Sequence, residues 1–398
     1  MVDDRKLTAA EAAARLGVKR QTLYAYVSRG LLQRTMSLDG KTSLFDPADI
    51  DALRSRRHRS VPGEVGTVIA SSITTVTDRG HTYRGTDAVS LVEADTSFEA
   101  VADLIWGHEG PWLLDPSDVG HLRATQAALP PDTPLLDRLR VAVATLSATD
   151  PLRHDLSPAS VVATGRRMLL GMIAALPKQH LGPHDQLADQ LWMALAPDPG
   201  SQEQRAALNA ALVLLADHDL AASTFAVRVA ASVRADPYSL VSTGLGAVGG
   251  LLHGAASGAV YRFLEMADSI GVEQAFGRQL ADGHPIPGVG HKVYRKRDPR
   301  EEALLALVED GWGDDPLYDS IEHLRYLIVT RLEKPPNVDF ALGALTWLAE
   351  MDADAGELFG IARTVGWIAH AIEEVDEPPL RFRVKTRPTG QRPQLPED

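Results

Sequence analysis

The chain has 398 residues, 44% of them hydrophobic and 23% charged, with a formal net charge of −13. That length exceeds one small module and suits one large domain or two to three ordinary ones with sizeable cores. There is no cysteine, which excludes disulfides, thiolate metal sites and a cysteine nucleophile. The first residues, Met1-Val2-Asp3-Asp4-Arg5-Lys6, lack the basic-then-apolar layout of a signal peptide. No apolar run approaches the roughly 20 residues of a membrane helix, so the expected address is the cytoplasm. Charge is uneven: residues 1–60 carry 12 Lys+Arg against 7 Asp+Glu, a local +5 that leaves −18 on the remainder. A basic head on an acidic body points to two jobs.

In the head, Thr8-Ala9-Ala10-Glu11 reads as a capping box, followed by Ala10, Ala13 and Leu16 at helical spacing until Gly17. A second helix is expected from Lys19 to Ser28, with Leu23 and Val27 inward and Gly30 at its C-terminal end. Asp39-Gly40 marks a hairpin turn, and Asp46-Pro47 opens a third helix. Helix, turn, helix, hairpin, helix is the order of a winged helix-turn-helix, and residues 6–56 resemble the MerR/excisionase type. The resemblance implies DNA contact by Lys19, Arg20, Thr22 and Tyr24. The arginines at 54, 56, 57 and 59, before Pro62-Gly63, read most simply as a solvated helix end running into a linker.

Beyond about residue 64 the character changes. Residues 74–85 have the pattern of a short hairpin around Asp78-Arg79-Gly80. The chain then turns Ala/Leu-rich and helical, with 135–148, 159–176, 184–195 and 203–216 carrying apolar residues at spacings of three and four. Breaks fall at Pro130-Pro131, Pro151, Gly182-Pro183 and from Pro197 to Gly200. No repeat and no strand–helix alternation is visible, which argues against solenoids and parallel sheets. Gly244-Leu245-Gly246-Ala247-Val248-Gly249 matches a dinucleotide fingerprint, but no strand precedes it. Those glycines are expected to let helices and a ligand approach closely.

Three stretches concentrate chemistry. Asp217-His218-Asp219-Leu220, with Ser223-Thr224-Phe225, leads to Leu252-His253-Gly254; Gly288-Val289-Gly290-His291-Lys292-Val293-Tyr294 runs on to Asp298-Pro299-Arg300; and Pro336-Asn337-Val338-Asp339-Phe340 follows. Histidines, a carboxylate and fixed cations on Gly- or Pro-marked turns can remove a proton from carbon and stabilise the resulting charge. These motifs, with Ile361-Ala362-Arg363 and Gly366-Trp367-Ile368-Ala369-His370, resemble the citrate synthase family in order and spacing across about 66–387.

The resemblance implies a mainly α fold with large and small helical domains. The expected boundaries are 1–60 for the head and 61–398 for the body, with a small subdomain at about 254–345. It implies condensation of acetyl-CoA with oxaloacetate to citrate and coenzyme A, the acyl group becoming an alkyl group, as in the tricarboxylic acid cycle. Asp339 would be the base, His253 the donor to the thioester oxygen and His291 the group polarising the ketone. His218, Arg300 and Arg363 would bind the 2-oxo acid, and Arg381 would reach the site from a neighbouring subunit, so a homodimer is expected. Arg295, Gly288 and Gly290 would meet coenzyme A, a co-substrate rather than a bound cofactor. No metal and no membrane are implied. Propionyl-CoA in place of acetyl-CoA, or a DNA-binding regulator with a ligand-sensing body, are the alternatives.

Some residues depart from the family pattern: Leu251 before the histidine turn, Ala255, Ala256, Ser257 and Gly258 after it, and Ala341 and Leu342 after Asp339-Phe340. None removes a reacting group.

Overall fold

The computed structural model describes residues 6–16, 18, 20–28, 32–37, 42–47, 49–50, 69–177, 186–250, 253 and 256–382. The chain divides into two compact units, Met1–Ala70 and Ser71–Asp398.

In the first unit, β1 (Leu7–Thr8) leads into α1 (Ala9–Leu16), followed by α2 (Arg20–Ser28), β2 (Thr35–Met36) and β3 (Ser43–Phe45). The capping box forms: Glu11 Oε2 accepts the Thr8 N–H at 2.8 Å, and Thr8 Oγ1 accepts the Glu11 N–H. β3 pairs antiparallel with both β1 and β2, so the sheet gains an N-terminal strand that the hairpin signal did not contain. Ala9, Ala12, Ala13, Leu16, Leu23, Leu32, Phe45 and Ile50 make the core. Ala10 is exposed, contrary to expectation. Counting back from Leu16 by three, four and seven residues selects Ala13, Ala12 and Ala9, so Ala10 faces away. Gly17, Lys19, Gly30, the Asp39-Gly40 turn, the arginines from 54 to 59 and Pro62-Gly63 lie outside the described residues.

The second unit opens with an antiparallel sheet of β4 (Thr74–Thr77), β5 (Gly80–Tyr83) and β6 (Thr86–Asp87). Helices follow: α3 (Ala88–Glu93), α4 (Phe98–Trp106), α5 (Pro116–Ala127), α6 (Leu135–Ala148), α7 (Pro158–Ala174), α8 (Leu187–Leu195) and α9 (Gln202–Leu215). After them come α10 (Ala222–Ser232), α11 (Pro237–Val248), α12 (Ala256–Ile270), α13 (Val272–Ala281), α14 (Pro299–Trp312), α15 (Pro316–Arg331), α16 (Val338–Leu348) and α17 (Phe359–Val375). The fold is mainly α, as the sequence pattern predicts. Among the described residues, no helix is long and apolar enough to cross a membrane.

Many helix starts are written locally. Asp115-Pro116, Asp236-Pro237, Asp298-Pro299 and Asp315-Pro316 each place an aspartate at the N-cap, its carboxylate accepting a first-turn N–H, and a proline at the first helical position. The glycine-rich segment 244–249 ends α11, and a Cβ on Gly244 would lie 2.5 Å from the Trp367 ring on α17. Bare backbone at Gly244 therefore seats α11 on α17.

Gly366 does the same beside the site. Its N–H donates to Ala216 O at 3.0 Å, and a Cβ there would lie 2.8 Å from that oxygen and collide with the Asp217 carboxylate. Gly366→Ala is therefore expected to destabilise the body by about 1–3 kcal/mol through overpacking, read as a lowered thermal midpoint. An unchanged midpoint would refute this account of the α17 contact.

Candidate active site

The loop before α14 and the start of α16 are sewn together by backbone. The Asn337 N–H donates to Gly288 O at 2.9 Å, the Gly290 N–H donates to Pro335 O at 2.8 Å, and Val289 bridges Pro336. Asn337 caps α16, its Oδ1 accepting the Asp339 N–H while its Nδ2 donates to Gly290 O at 2.8 Å. Gly288 and Gly290 have φ of +71° and +84°, a region L side chains rarely adopt. A Cβ on Gly288 would also sit 2.9 Å from Phe340 Cα.

Asp298 ties the same region to α14. Its Oδ1 accepts the Arg300 N–H and Nε–H, and its Oδ2 accepts Arg300 Nη2 at 2.7 Å and the Val338 N–H at 3.2 Å. Arg300 thus enters the site already paired, with its guanidinium 5.0 Å from the Tyr294 ring centre. Around Tyr294 gather His291, stacked at 4.8 Å, and His218, whose Nε2 lies 3.0 Å from the Tyr294 hydroxyl. The His218 and His291 rings meet edge-on at 5.3 Å.

A second group forms around Phe359. The Arg363 guanidinium lies 4.5 Å over its ring, and the His253 ring meets it edge-on at 5.7 Å. Arg363 is buried, donates Nε–H to Leu215 O at 2.9 Å, and pairs with no carboxylate among the described residues. His253 Nε2 lies 2.8 Å from the buried Ser223 hydroxyl.

Electrostatics join the two groups. Burial pushes the Asp339 carboxyl up to about 6, against the pull of Arg300 and Arg363 and of its place in the first turn of α16. Desolvation wins because no hydrogen-bond donor meets the carboxylate among the described residues. Burial, and then nearby guanidinium groups, hold His218, His253 and His291 below their ordinary value, which favours the uncharged ring in all three. The His291 tautomer is set: Nδ1 accepts the N–H groups of Val293 and Tyr294 at 3.1 and 3.2 Å, so Nε2 carries the hydrogen.

The structure thus draws together His218, His253, His291, Arg300, Arg363 and Asp339. Arg295 is exposed and lines a pocket of about 500 Å³ with Gly290, His291, Lys292 and Lys334. Arg381 stands apart: it forks onto the buried Glu374 through Nε and Nη2, which also takes Arg228, and it touches none of the site's side chains. Gly254 lies outside the described residues, as does Lys19 in the head. There, Arg20 and Thr22 fall on α2 together with Tyr24, whose ring is exposed. Ser223, Tyr294 and Asp298 lie within the sequence motifs but carry no expected role there, and His81 and Phe359 lie outside them, signalled only by strand alternation and helix phase.

The C-terminal domain model of citrate synthase matches residues 64–388, and a helix-turn-helix domain model matches residues 7–58. Citrate synthase 2 of Bacillus subtilis is 28% identical over 80% of this chain and 92% of its own length. The 2-methylcitrate synthase of Mycobacterium tuberculosis is 30% identical over 74% of this chain and 80% of its own. The fold is similar to that of Thermoplasma acidophilum citrate synthase, solved as a ternary complex with carboxymethyl coenzyme A and oxaloacetate; the TM-score is 0.69 at 22% identity, covering 85% of this chain and 99% of that one. A helix-turn-helix head thus precedes a helical body of citrate synthase type. The chain belongs to the citrate synthase family and is an enzyme of that type.

The raised Asp339 value sets a signed expectation. The carboxyl's ordinary value is 3.8, and in the folded protein it is about 6. Below the lower value both states are protonated and Asp339 costs nothing; as pH rises through the higher one, the fold must hold a charge it disfavours. The resulting penalty is on the order of 3 kcal/mol at neutral pH. Asp339→Asn should therefore raise the thermal midpoint near neutral pH, with the gain vanishing as pH falls to about 4. A midpoint difference independent of pH would contradict the assignment.

Proposed function

We propose that the body condenses acetyl-CoA with oxaloacetate, and that the feature carrying this reading is Arg363, a buried guanidinium that has no carboxylate at ion-pair distance among the described residues. A buried cation without a counter-ion is costly, and a substrate carboxylate would complete it with two-point geometry. Arg300 would contribute the part of its fork that Asp298 leaves free, and His218 would hold the same 2-oxo acid.

In this reading Asp339 removes a proton from the thioester methyl. A base poised near neutrality is suited to that work. With the Ser223 hydroxyl donating to Nε2, the neutral His253 ring carries its hydrogen on Nδ1 and gives a hydrogen bond to the thioester oxygen as enolate charge develops. The methyl carbon then bonds to the ketone carbon of oxaloacetate, whose oxygen takes a hydrogen bond from His291 Nε2–H and ends as the hydroxyl of the product. Water cleaves the thioester, releasing citrate and coenzyme A. The basic pocket of His291, Lys292, Arg295 and Lys334 suits coenzyme A phosphates, with the Gly288–Gly290 backbone beside it. A homodimer in the cytoplasm belongs to the same proposal. The trans role of Arg381 requires it to exchange Glu374 for substrate carboxylate.

Thiol release on mixing acetyl-CoA and oxaloacetate tests the reaction. Arg363→Leu is expected to lose about 100-fold or more in kcat/KM, carried by oxaloacetate KM. No thiol release from folded protein with any 2-oxo acid tested would discard the reading. Similarity to a 2-methylcitrate synthase keeps propionyl-CoA as an alternative, since one methylene shifts binding by only about 1–3 kcal/mol. Equal concentrations of the two thioesters, compared by kcat/KM, decide it.

The helix-turn-helix match supports a second function for the head, DNA binding through α2, which carries Arg20, Thr22 and the exposed Tyr24. A dimer would present two such helices to a palindromic site. A mobility shift at about 50 mM salt that weakens sharply by about 200 mM is expected, because phosphate contacts release counterions. Absence of any shift at low salt would remove this function.

A further inference from the structure

We propose that His81 is a positioning residue for His218, and that through it the hairpin of β4 and β5 sets the affinity of the site for the 2-oxo acid. The proposal rests on the reading of His218 as a substrate-binding group. His81 is only 1% exposed and lies on β5 opposite Val76, far in sequence from the three motifs. Its ring stands edge-on to His218 at 5.3 Å, and the His218 ring in turn meets the Tyr294 ring edge-on at 5.5 Å.

The hydrogen bonds around His81 fix its orientation. The Tyr83 hydroxyl donates to Val213 O at 2.8 Å, with Asp217 O at 3.2 Å as its other acceptor. With that single hydrogen on a carbonyl, His81 Nε2, 3.0 Å from the same oxygen, takes the donor role, and Nδ1 is left buried without a hydrogen-bond partner among the described residues. Burial pushes the ring down to about 3, consistent with the neutral form. Filling this volume alone would be done better by an apolar side chain, since an unsatisfied buried polar atom is destabilising.

The rest of the hairpin holds the same corner. Thr74 Oγ1 donates to Asp217 Oδ2 at 2.6 Å, and Asp219 has a φ of +56°, unfavourable for a non-glycine residue. The turn that presents His218 is thus gripped on both sides: Thr74 takes the preceding side chain, Tyr83 the preceding carbonyls, and His81 the imidazole itself. Tyr294 closes from the opposite segment. His81 touches no reacting atom in this scheme; it acts by leaving His218 one orientation.

The test uses the full-length protein with His81→Leu and His81→Gln, the amide of glutamine retaining an N–H for the Tyr83 oxygen. Oxaloacetate binding is measured by calorimetry, and KM for each substrate by thiol release. The expected result is a loss of about ten-fold or more in oxaloacetate affinity for the leucine variant, acetyl-CoA KM within about two-fold, and recovery of most of the loss by glutamine. Oxaloacetate affinity unchanged in the leucine variant, both KM values rising together, or glutamine failing as badly as leucine would each overturn the proposal. If the leucine variant does not fold, Tyr83→Phe takes its place. It removes the acceptor of the His81 N–H and must weaken oxaloacetate binding selectively, and unchanged binding overturns the idea. Wild-type protein that binds no 2-oxo acid and releases no thiol marks a different failure, that of the functional reading, and the inference falls with it.

Discussion

The arrangement of the site depends on one buried carboxylate, Asp298. Its two oxygens cap α14, fork onto Arg300 and accept the first N–H of α16, so three structures share one charge. Arg300 can be buried because Asp298 neutralises it at ion-pair distance, and the pair is tolerable in low dielectric because its remaining lone pairs are met by backbone N–H groups. Asp339 sits one residue beyond Val338, so its place relative to Arg300 follows from that single anchor. The Asn337 side chain completes the junction by binding Gly290 and capping α16 together.

With Arg300 neutralised, the electrostatics of the cleft turn on Arg363. Arg363 feels the charge of Asp217 but makes no ion pair with it among the described residues, and Asp217 Oδ2 is taken by Thr74 and by His370 at 3.3 Å. Burial works against both the cation and the Asp339 carboxyl, lowering one and raising the other. The same field and the same burial depress the histidines. Among the described residues the cleft therefore holds a buried cation with no carboxylate at ion-pair distance, a carboxyl that burial keeps from ionising readily and three imidazoles held below their ordinary value. Such polarity cannot be produced by exposed residues, where water would screen each term.

What was legible in the chain was whatever is written within a few residues. The Thr8–Glu11 box and the motif residues themselves could be read, because each signal and its cause lie on one turn of chain. Pairings across the fold could not. Arg381 lies seven residues from Glu374, yet it reaches that carboxylate because Glu374 is buried at the end of α17 beside Arg228, a fact of packing that spacing does not carry. His81 was invisible for the same reason: on a strand it is one of two alternate residues, and only the approach of the 217–219 corner gives it meaning. The misassigned Ala10 shows the remaining limit, since in a run of alanines every phase of the helix looks apolar.

The departures from the family pattern near Asp339 acquire a physical reading from the contact between α12 and α16. Ser257, Ala341 and Leu342 are all buried. A Cβ on Gly343 would lie 2.5 Å from Val260 Cβ and 2.7 Å from Ser257 O, and one on Gly258 would lie 2.9 Å from Ala353 O. The two helices thus approach until backbone meets side chain, which only small residues at 256–258 and glycine at 343 permit. Val260 also packs where a Cβ on Gly288 would fall, so the same contact braces the glycine loop that leads to His291. The unusual residues therefore sit in the layer that fixes where α16 places Asp339. Because a packed interior transmits a change of even one methylene, a substitution in this layer is felt at Asp339 and at the glycine loop together.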